Sequence, residues 1–132
     1  MHQQTFHDDE VLMALLAAKK SGADAAKQQA AVLSDYLART GQLFDMCGNA
    51  ILHLRVDGRC APGRQLRRIR HPDITVEKEV STGFIVLIRY PIETTGNVNA
   101  QEMTLSVAAA NAAADVLRRR LGVQAFVVPY SN

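Results

Sequence analysis

The sequence predicts a single α+β domain in which two helices precede a mostly antiparallel sheet of about four or five strands. In the first third of the chain, apolar residues recur at helical spacing, and from Ile51 the spacing changes to alternation. A long alanine-rich helix follows the strands and leads into one more strand. With 132 residues, of which 48% are hydrophobic, the chain is long enough for one core and is not expected to be disordered.

The first third of the chain is predicted to form two helices. The first begins with an apolar stripe of Val11, Leu12, Leu15 and Leu16. Ser21–Gly22 is a typical break, and Ser21 can cap a second helix. The apolar face of that second helix consists of Ala26, Ala30, Leu33 and Leu37. Gly41 is predicted to end it.

Strands are predicted between residues 51 and 92. Residues 51–56 alternate and stop at the turn pair Asp57–Gly58. Residues 74–80 and 84–92 are expected to form a hairpin around Ser81–Gly83. The second of these runs is apolar on both faces except at Arg89, which predicts the central strand. Residues 66–71 are considered as a strand turning at Pro72–Asp73, and the wider segment 57–73 fits a strand, a loop or a short helical turn.

The final part of the chain is predicted to be a helix and a strand. Asn99 and Glu102 resemble a capping box, and Gly122 follows three arginines at 118–120. Six alanines give the helix a smooth surface: Ala108, Ala109, Ala110, Ala112, Ala113 and Ala114. Residues 123–128 read as a strand that Pro129 closes at an edge of the sheet. Strand, helix and strand in this order predict a right-handed crossover.

Pairing residues across the predicted hairpin separates the two faces of the sheet. With Val80 opposite Phe84, one face is a core made of Val76, Val80, Phe84, Val86 and Ile88. The other face mixes Ile85 and Leu87 with charged residues, so these two side chains need cover from the N-terminal helices or from another subunit. Ile85 and Leu87 are therefore the predicted interface of a homo-oligomer.

Arginines are concentrated in the middle of the chain, where Asp57 is the one acidic residue between positions 55 and 70. Besides Arg55, the cluster contains Arg59, Arg64, Arg67, Arg68 and Arg70, and these five are the candidate contacts to a nucleic-acid backbone. However, no aromatic residue lies between positions 45 and 83 to stack on bases. Pairing of Arg68 and Arg70 with Glu77 and Glu79 across the sheet is favoured instead. Nucleic-acid binding is thus the alternative hypothesis.

His53, Arg55 and Arg89 are the candidate residues for binding a small anionic ligand. His53 and Arg55 project from the same face of their strand, about 7 Å apart, and could hold a carboxylate or a phosphate. Arg89 stands in an apolar strand, so it requires Glu77 as a partner, a bound anion or an exit to solvent. The alanine-rich helix could also leave room for an amphipathic ligand.

Familiar catalytic and cofactor patterns are absent from the sequence. It contains no GxGxxG, GxxxxGK[ST], GxSxG or HExxH motif, so neither a cofactor nor a metal is predicted. An enzyme using His53 or His71 as general acid or base is the third hypothesis. The polar N-terminus is unlike a signal peptide, and no apolar run is long enough to span a membrane. The two cysteines are too few for a disulfide framework. These features predict a cytoplasmic protein.

These observations make a non-catalytic binding or assembly module the leading hypothesis. Such a module would self-associate and could hold a small anionic or amphipathic ligand.

Overall fold

A computed structural model describes residues 10–41, 48–79, 83–91 and 103–131. These residues form, in order, α1 (Glu10–Thr40), β1 (Gly48–Arg55), α2 (Ala61–Arg67), β2 (Ile74–Lys78), β3 (Phe84–Ile88), α3 (Met103–Leu121) and β4 (Gln124–Ser131). The predicted α+β class with an antiparallel sheet is confirmed. Two details differ from the prediction: one long helix replaces the two N-terminal helices, and residues 66–71 do not form the strand considered for them. Residues 61–67 form α2 instead, which is the short helical turn among the alternatives for residues 57–73.

The four strands form one antiparallel sheet in the order β2–β3–β1–β4. β1 pairs with β3 on one side and with β4 on the other. β3 and β4 consequently run parallel to each other with β1 between them, and α3 connects them. The predicted crossover is present, but the two strands that it joins are not neighbours. The strand predicted to be central is interior, and it shares that position with β1.

The predicted break at Ser21–Gly22 is wrong, since α1 continues without interruption through both residues. Gly22 is buried against the ring of Tyr90 and the backbone of Ala109. A Cβ atom on Gly22 would lie only 2.8 Å from the carbonyl oxygen of Ala109. The glycine therefore permits a close approach of α1 and α3 rather than a turn.

Gly41 and Gly122 end α1 and α3 as predicted. Both have left-handed backbone conformations, with φ of 71° and 66°. The N–H of Gly41 donates to the carbonyl oxygen of Leu37 at 2.7 Å, and that of Gly122 donates to Arg118 at 3.0 Å. Each bond satisfies a carbonyl that the helix itself leaves without a partner.

Buried residues spaced four apart bring α1 and α3 together. On α1 they are all small: Ala14, Ala18, Gly22, Ala26 and Ala30. On α3 they are Leu105, Ala109, Ala113, Leu117 and Leu121. The C-terminal part of α1 packs against the N-terminal part of α3, and the N-terminal part of α1 packs against the C-terminal part of α3. The two helices are therefore antiparallel. Small side chains at this spacing allow the two backbones to lie close.

The main core lies between these two helices and one face of the sheet. Phe84 and Val86 are buried there, with Val76 and Ile88 partly buried, and Val80 lies outside the described residues. Val76 pairs with Val86 rather than with Ile88 as predicted. This register differs by two residues, and a shift of two leaves each side chain on its predicted face.

An ion pair ties α1 to the turn before β2. Lys19 Nζ lies 2.8 Å from Asp73 Oδ2, and both side chains are partly exposed. The hydrogen bond from Lys19 holds the pKa of Asp73 below its ordinary value of 3.8. A carboxyl group whose pKa is lower in the folded than in the unfolded state stabilises the fold at pH values above its unfolded-state pKa. This stabilisation is lost as the pH falls through its folded-state pKa.

We therefore expect Asp73→Asn to reduce stability at neutral pH, with a difference from wild type that closes below about pH 4. Urea denaturation of both proteins across the acid range measures this difference. Asp35→Asn is the matched control, because its ion pair with Arg39 is exposed and within one helix, and should have a smaller effect. A difference between Asp73→Asn and wild type that stayed constant to about pH 2 would contradict this role.

Candidate functional site

The sheet face opposite the helices is largely apolar, and we call it the open face. By alternation along the paired strands it consists of Ile51, His53, Arg55, Thr75, Glu77, Ile85, Leu87, Gln124, Phe126, Val128 and Tyr130. Three of its large side chains are well exposed, namely Leu87 at 41%, Phe126 at 42% and Tyr130 at 47%. Single exposed apolar residues are ordinary, whereas a continuous group of them indicates a binding surface.

Ile85 and Leu87 were expected to be covered either by the N-terminal helices or by another subunit, and the structure distinguishes these alternatives in part. α1 packs on the other side of the sheet through Val11 and Leu15, so it does not cover them. Ile85 is half-buried among its strand neighbours, and Leu87 is exposed. Within the described ranges, cover by the N-terminal helix is excluded. The interface role of Ile85 and Leu87 stays a prediction.

His53 is held by two side chains from other strands. Its Nδ1 lies 2.7 Å from Glu79 Oε1, and its ring stacks on Phe126 with centroids 5.0 Å apart and planes 5° from parallel. Its Nε2 is buried and has no hydrogen-bond partner among the described residues. In this arrangement Nδ1 is engaged by Glu79 and Nε2 does not reach solvent; a role of His53 as general acid or base stays a prediction. The geometry is that of a structural carboxylate–histidine pair.

Arg55 and Arg89 lie at opposite ends of the sheet. Arg55 is exposed, and its guanidinium carbon stands 5.9 Å from the centroid of the Phe126 ring, within range of a cation–π contact. Arg89 follows the end of β3, where its N–H donates to the carbonyl oxygen of Asp73 and its side chain is exposed. Of the three outcomes considered for Arg89, the structure shows the exit to solvent. His53 and Arg55 share a face, and Arg89 does not join them.

The sequence did not point to Glu79 and Phe126 as the neighbours of His53. Phe126 lies directly opposite His53 in the pairing of β1 with β4, and Glu79 comes from the end of β2. Neither residue forms a local motif with His53. Only the strand order, with β1 between β3 and β4, places them together.

The predicted pairing of Arg68 and Arg70 with Glu77 and Glu79 is wrong, because the preceding residues form α2 rather than a strand. Arg70 Nη1 donates to the carbonyl oxygens of Arg67 and Ile69, at 3.3 and 2.7 Å. Glu79 is engaged by His53 instead. The arginines therefore do not belong to a sheet face.

α2 is a short helix anchored by its apolar side. Pro62 lies in its first turn, where a missing N–H costs nothing, and Leu66 is fully buried in the main core. Gln65 is buried beside Leu66, and its Oε1 accepts a hydrogen bond from the N–H of Val11 at 3.4 Å. With this side fixed, Arg64, Arg67 and Arg68 are left exposed on the opposite side of α2.

The structure brings the end of α3 next to the beginning of α2. A groove of about 470 Å³ separates them, lined by Arg55, Val56, Asp57, Cys60, Ala61, Pro62, Leu121, Gly122, Val123 and Gln124. The two arginine-bearing segments, which are distant in the chain, thus lie on either side of this groove. We call this group the arginine end; it comprises Arg55, Arg59, Arg64, Arg67, Arg118, Arg119 and Arg120. Arg68 and Arg70 lie beyond it, toward β2.

The remaining polar side chains near the groove are bonded locally. Cys60 is a free, half-buried thiol whose Sγ donates to the carbonyl oxygen of Asp57 at 2.8 Å. Cys47 lies outside the described residues.

Within the described ranges, no three histidine, cysteine, aspartate or glutamate side chains come together as a metal site. None of the described helices has both the length and the hydrophobicity to cross a membrane.

Comparison with known proteins assigns no family to the chain. No protein-family model, no curated protein and no solved structure matches it. The function proposed for this protein consequently rests on its residues and their placement alone.

Proposed function

We propose that this protein is a non-catalytic assembly module that self-associates through the open face. One observation carries the proposal: both long helices cover one side of the sheet, and the other side exposes Leu87, Phe126 and Tyr130 together. The occupant that we propose is a second copy of the chain. A cytoplasmic setting belongs to the same proposal.

The layout of the open face supports an interface between identical copies. Its centre is mostly apolar, with His53 surrounded by Ile51, Ile85, Leu87, Phe126 and Val128. Glu77 lies at the β2 edge of this centre and Arg55 at one end, so the rim carries both signs of charge. Specific interfaces have this combination of an apolar centre and a polar rim. In a dimer with a twofold axis, the charged rim residues of one copy can lie opposite rim residues of the other sign on its partner.

The size of the open face is sufficient for a stable contact. Four strands spaced about 4.8 Å apart, with a mean length near six residues, give a projected area on the order of 400 Å². Two such faces and their rims reach the approximate 1,000 Å² that a specific interface buries in total. Two sheets stacked face to face at about 10 Å would exclude water from both centres.

Face-to-face packing is favoured over strand pairing at the β4 edge of the sheet. The outer edge of β4 is blocked near its start, because Arg118 donates through Nε and Nη2 to the carbonyl oxygen of Ala125 at 3.0 and 2.8 Å. Pro129, which has no N–H to donate, interrupts the same strand. An added strand would find few free groups there. The open face lacks such protection.

Sedimentation equilibrium of the untagged protein tests the proposal, with a dimer expected for the wild type. Leu87→Asp should weaken association by about 100-fold, because it places one unpaired carboxylate per copy in an apolar centre. Val32→Asp is the matched control, since Val32 is equally apolar and is 59% exposed on α1, away from the open face. This control should remain a dimer.

Two results would overturn the proposal. One is a wild-type protein that stays monomeric at millimolar concentration. The other is a Leu87→Asp variant that associates as strongly as the Val32→Asp control. A circular dichroism spectrum matching that of the wild type ensures that the variants are folded when compared.

A further inference from the structure

Seven arginines of the arginine end are gathered from two segments that are far apart in the chain. Arg55 ends β1, Arg59 lies in the turn that follows, and Arg64 and Arg67 lie on α2. Arg118–Arg120 lie in the last turn of α3. The groove between α2 and α3 places the two segments side by side. From this arrangement we infer that the arginine end binds the phosphate backbone of nucleic acid.

Little of this positive charge is neutralised within the protein. Arg59 pairs with Asp57, and Arg119 pairs with Asp115, at 3.2 and 3.0 Å. Both pairs are exposed, and exposed pairs of this kind are weak. Arg64, Arg67 and Arg120 form no ion pair within the described ranges. Arg64 and Arg118 donate to backbone carbonyl oxygens, which carry no net charge, so most of the positive charge of this end is not neutralised.

The arginines of α2 repel one another in the free protein. Arg64 is followed by Arg67 and Arg68 at helical spacings of three and four, which places like charges next to each other on one side of the helix. Arg67 also lies over Gly58, where a Cβ atom would come within 2.6 Å of its Nη2. A bound phosphate relieves this repulsion, because it supplies the negative charge that the segment lacks.

The positive potential of this end comes from the arginine side chains and not from helix dipoles. The N-terminal end of α1 is held at α2 by the bond from Val11 to Gln65. The antiparallel packing of α1 and α3 places the C-terminal end of α3 there too, so the two helix dipoles oppose each other.

A polymer of phosphates matches this surface better than a single small anion. The arginines come from the end of β1, from α2 and its preceding turn, and from the last turn of α3, and Arg55 is the one described arginine that lines the groove, so no single pocket gathers them. Each guanidinium can donate two parallel hydrogen bonds to one phosphate. A chain of phosphates contacts several of them in succession, and it releases bound counterions at each contact.

This site is independent of the proposed self-association. α2 packs through Leu66 into the core between the helices and the sheet, so its exposed arginines lie on the helix-covered side. Apart from Arg55, which lies at the rim of the open face, the arginines of both arginine ends would therefore stay accessible in a dimer formed through that face. Failure of either proposal leaves the other standing.

Fluorescence anisotropy with a labelled 20-nucleotide single strand, and with the corresponding duplex, tests the inference. We expect binding at low salt that weakens steeply as salt increases. The variant Arg64→Ala/Arg119→Ala/Arg120→Ala should bind at least tenfold more weakly, with a salt slope lower by about two. Its three sites are exposed, so its thermal melting should match that of the wild type.

The matched control removes arginines that lie elsewhere. Arg39→Ala/Arg89→Ala changes the end of α1 and the far end of the sheet, and it should bind within about twofold of the wild type. Absence of binding at low salt, or equal losses in the two variants, would overturn the inference. Equally tight binding of polyglutamate or of anionic phosphatidylserine vesicles would also overturn it, since the surface would then accept any polyanion.

Discussion

Replacing Gly22 with leucine is expected to lower the free energy of unfolding by about 3 kcal/mol. The new side chain would have to occupy the space between α1 and α3, where the Tyr90 ring and the Ala109 carbonyl oxygen already lie. The Ala109 oxygen belongs to the helix backbone, so it cannot rotate away as a flexible side chain could. Urea denaturation followed by circular dichroism measures the change.

Gly22→Ala provides a sharper form of the same test. At an open helical position this substitution stabilises by about 1 kcal/mol, because alanine has the higher helix propensity. At Gly22 we expect the opposite sign. The control is Ala31→Leu, which adds the same leucine at an exposed position of α1 and should change stability by less than about 0.5 kcal/mol. Stabilisation by Gly22→Ala would show that the helices are not in close contact there.

Replacing Phe84 with alanine should lower the free energy of unfolding by about 3–5 kcal/mol. Phe84 is completely buried in the main core and is one of its largest side chains. Its removal leaves a cavity that the surrounding helices and strands can fill only partly. For a domain whose total stability is about 5–15 kcal/mol, this is a substantial fraction. Equilibrium unfolding in urea measures it.

Leu87→Ala is the matched control for Phe84→Ala, since both residues lie on β3 but on opposite faces. Leu87 is exposed in the single chain, so its truncation should cost less than about 1 kcal/mol in dilute protein. Comparable losses for the two variants would contradict the assignment of faces. The comparison is made at a protein concentration where sedimentation shows monomers, which keeps stability separate from association.

Local sequence signals predicted several parts of this fold. Gly41 and Gly122 both lie directly after a helix, because glycine adopts the left-handed conformation that these helix ends require. Alternation placed Phe84 and Val86 on the core face, and it did so despite an error of two residues in the register. Periodic patterns report which face a side chain occupies, and they are insensitive to such shifts.

Gly22 and the segment around Leu66 show where local signals fail. Ser21–Gly22 has the composition of a turn, but the close packing of α1 against α3 requires the absence of a side chain at that point. For residues 61–67, the helix is stabilised by docking Leu66 into a core formed largely by distant residues. In both cases tertiary packing determines the local structure, and the residues nearby in the sequence do not reveal that packing.

The candidate sites depend even more on long-range placement. The arginine cluster around α2 was evident from composition, whereas the placement of the end of α3 across a groove from the start of α2 follows only from the tertiary fold. In the same way, Phe126 becomes a neighbour of His53 and Arg55 only through the pairing of β4 with β1. The sequence identified candidate side chains, and the topology of the fold determines which of them are neighbours.

The order of the strands also determines when this protein can fold during synthesis. β1 ends at Arg55, but one of its two partners, β4, begins only at Gln124. While the ribosome makes the intervening residues, one edge of β1 has no strand to pair with, and α1 lacks the α3 surface against which it packs. Pairings so distant in the chain form slowly. A product interrupted before β4 would expose that edge of β1 to other chains, so complete synthesis of this segment is a condition for its solubility.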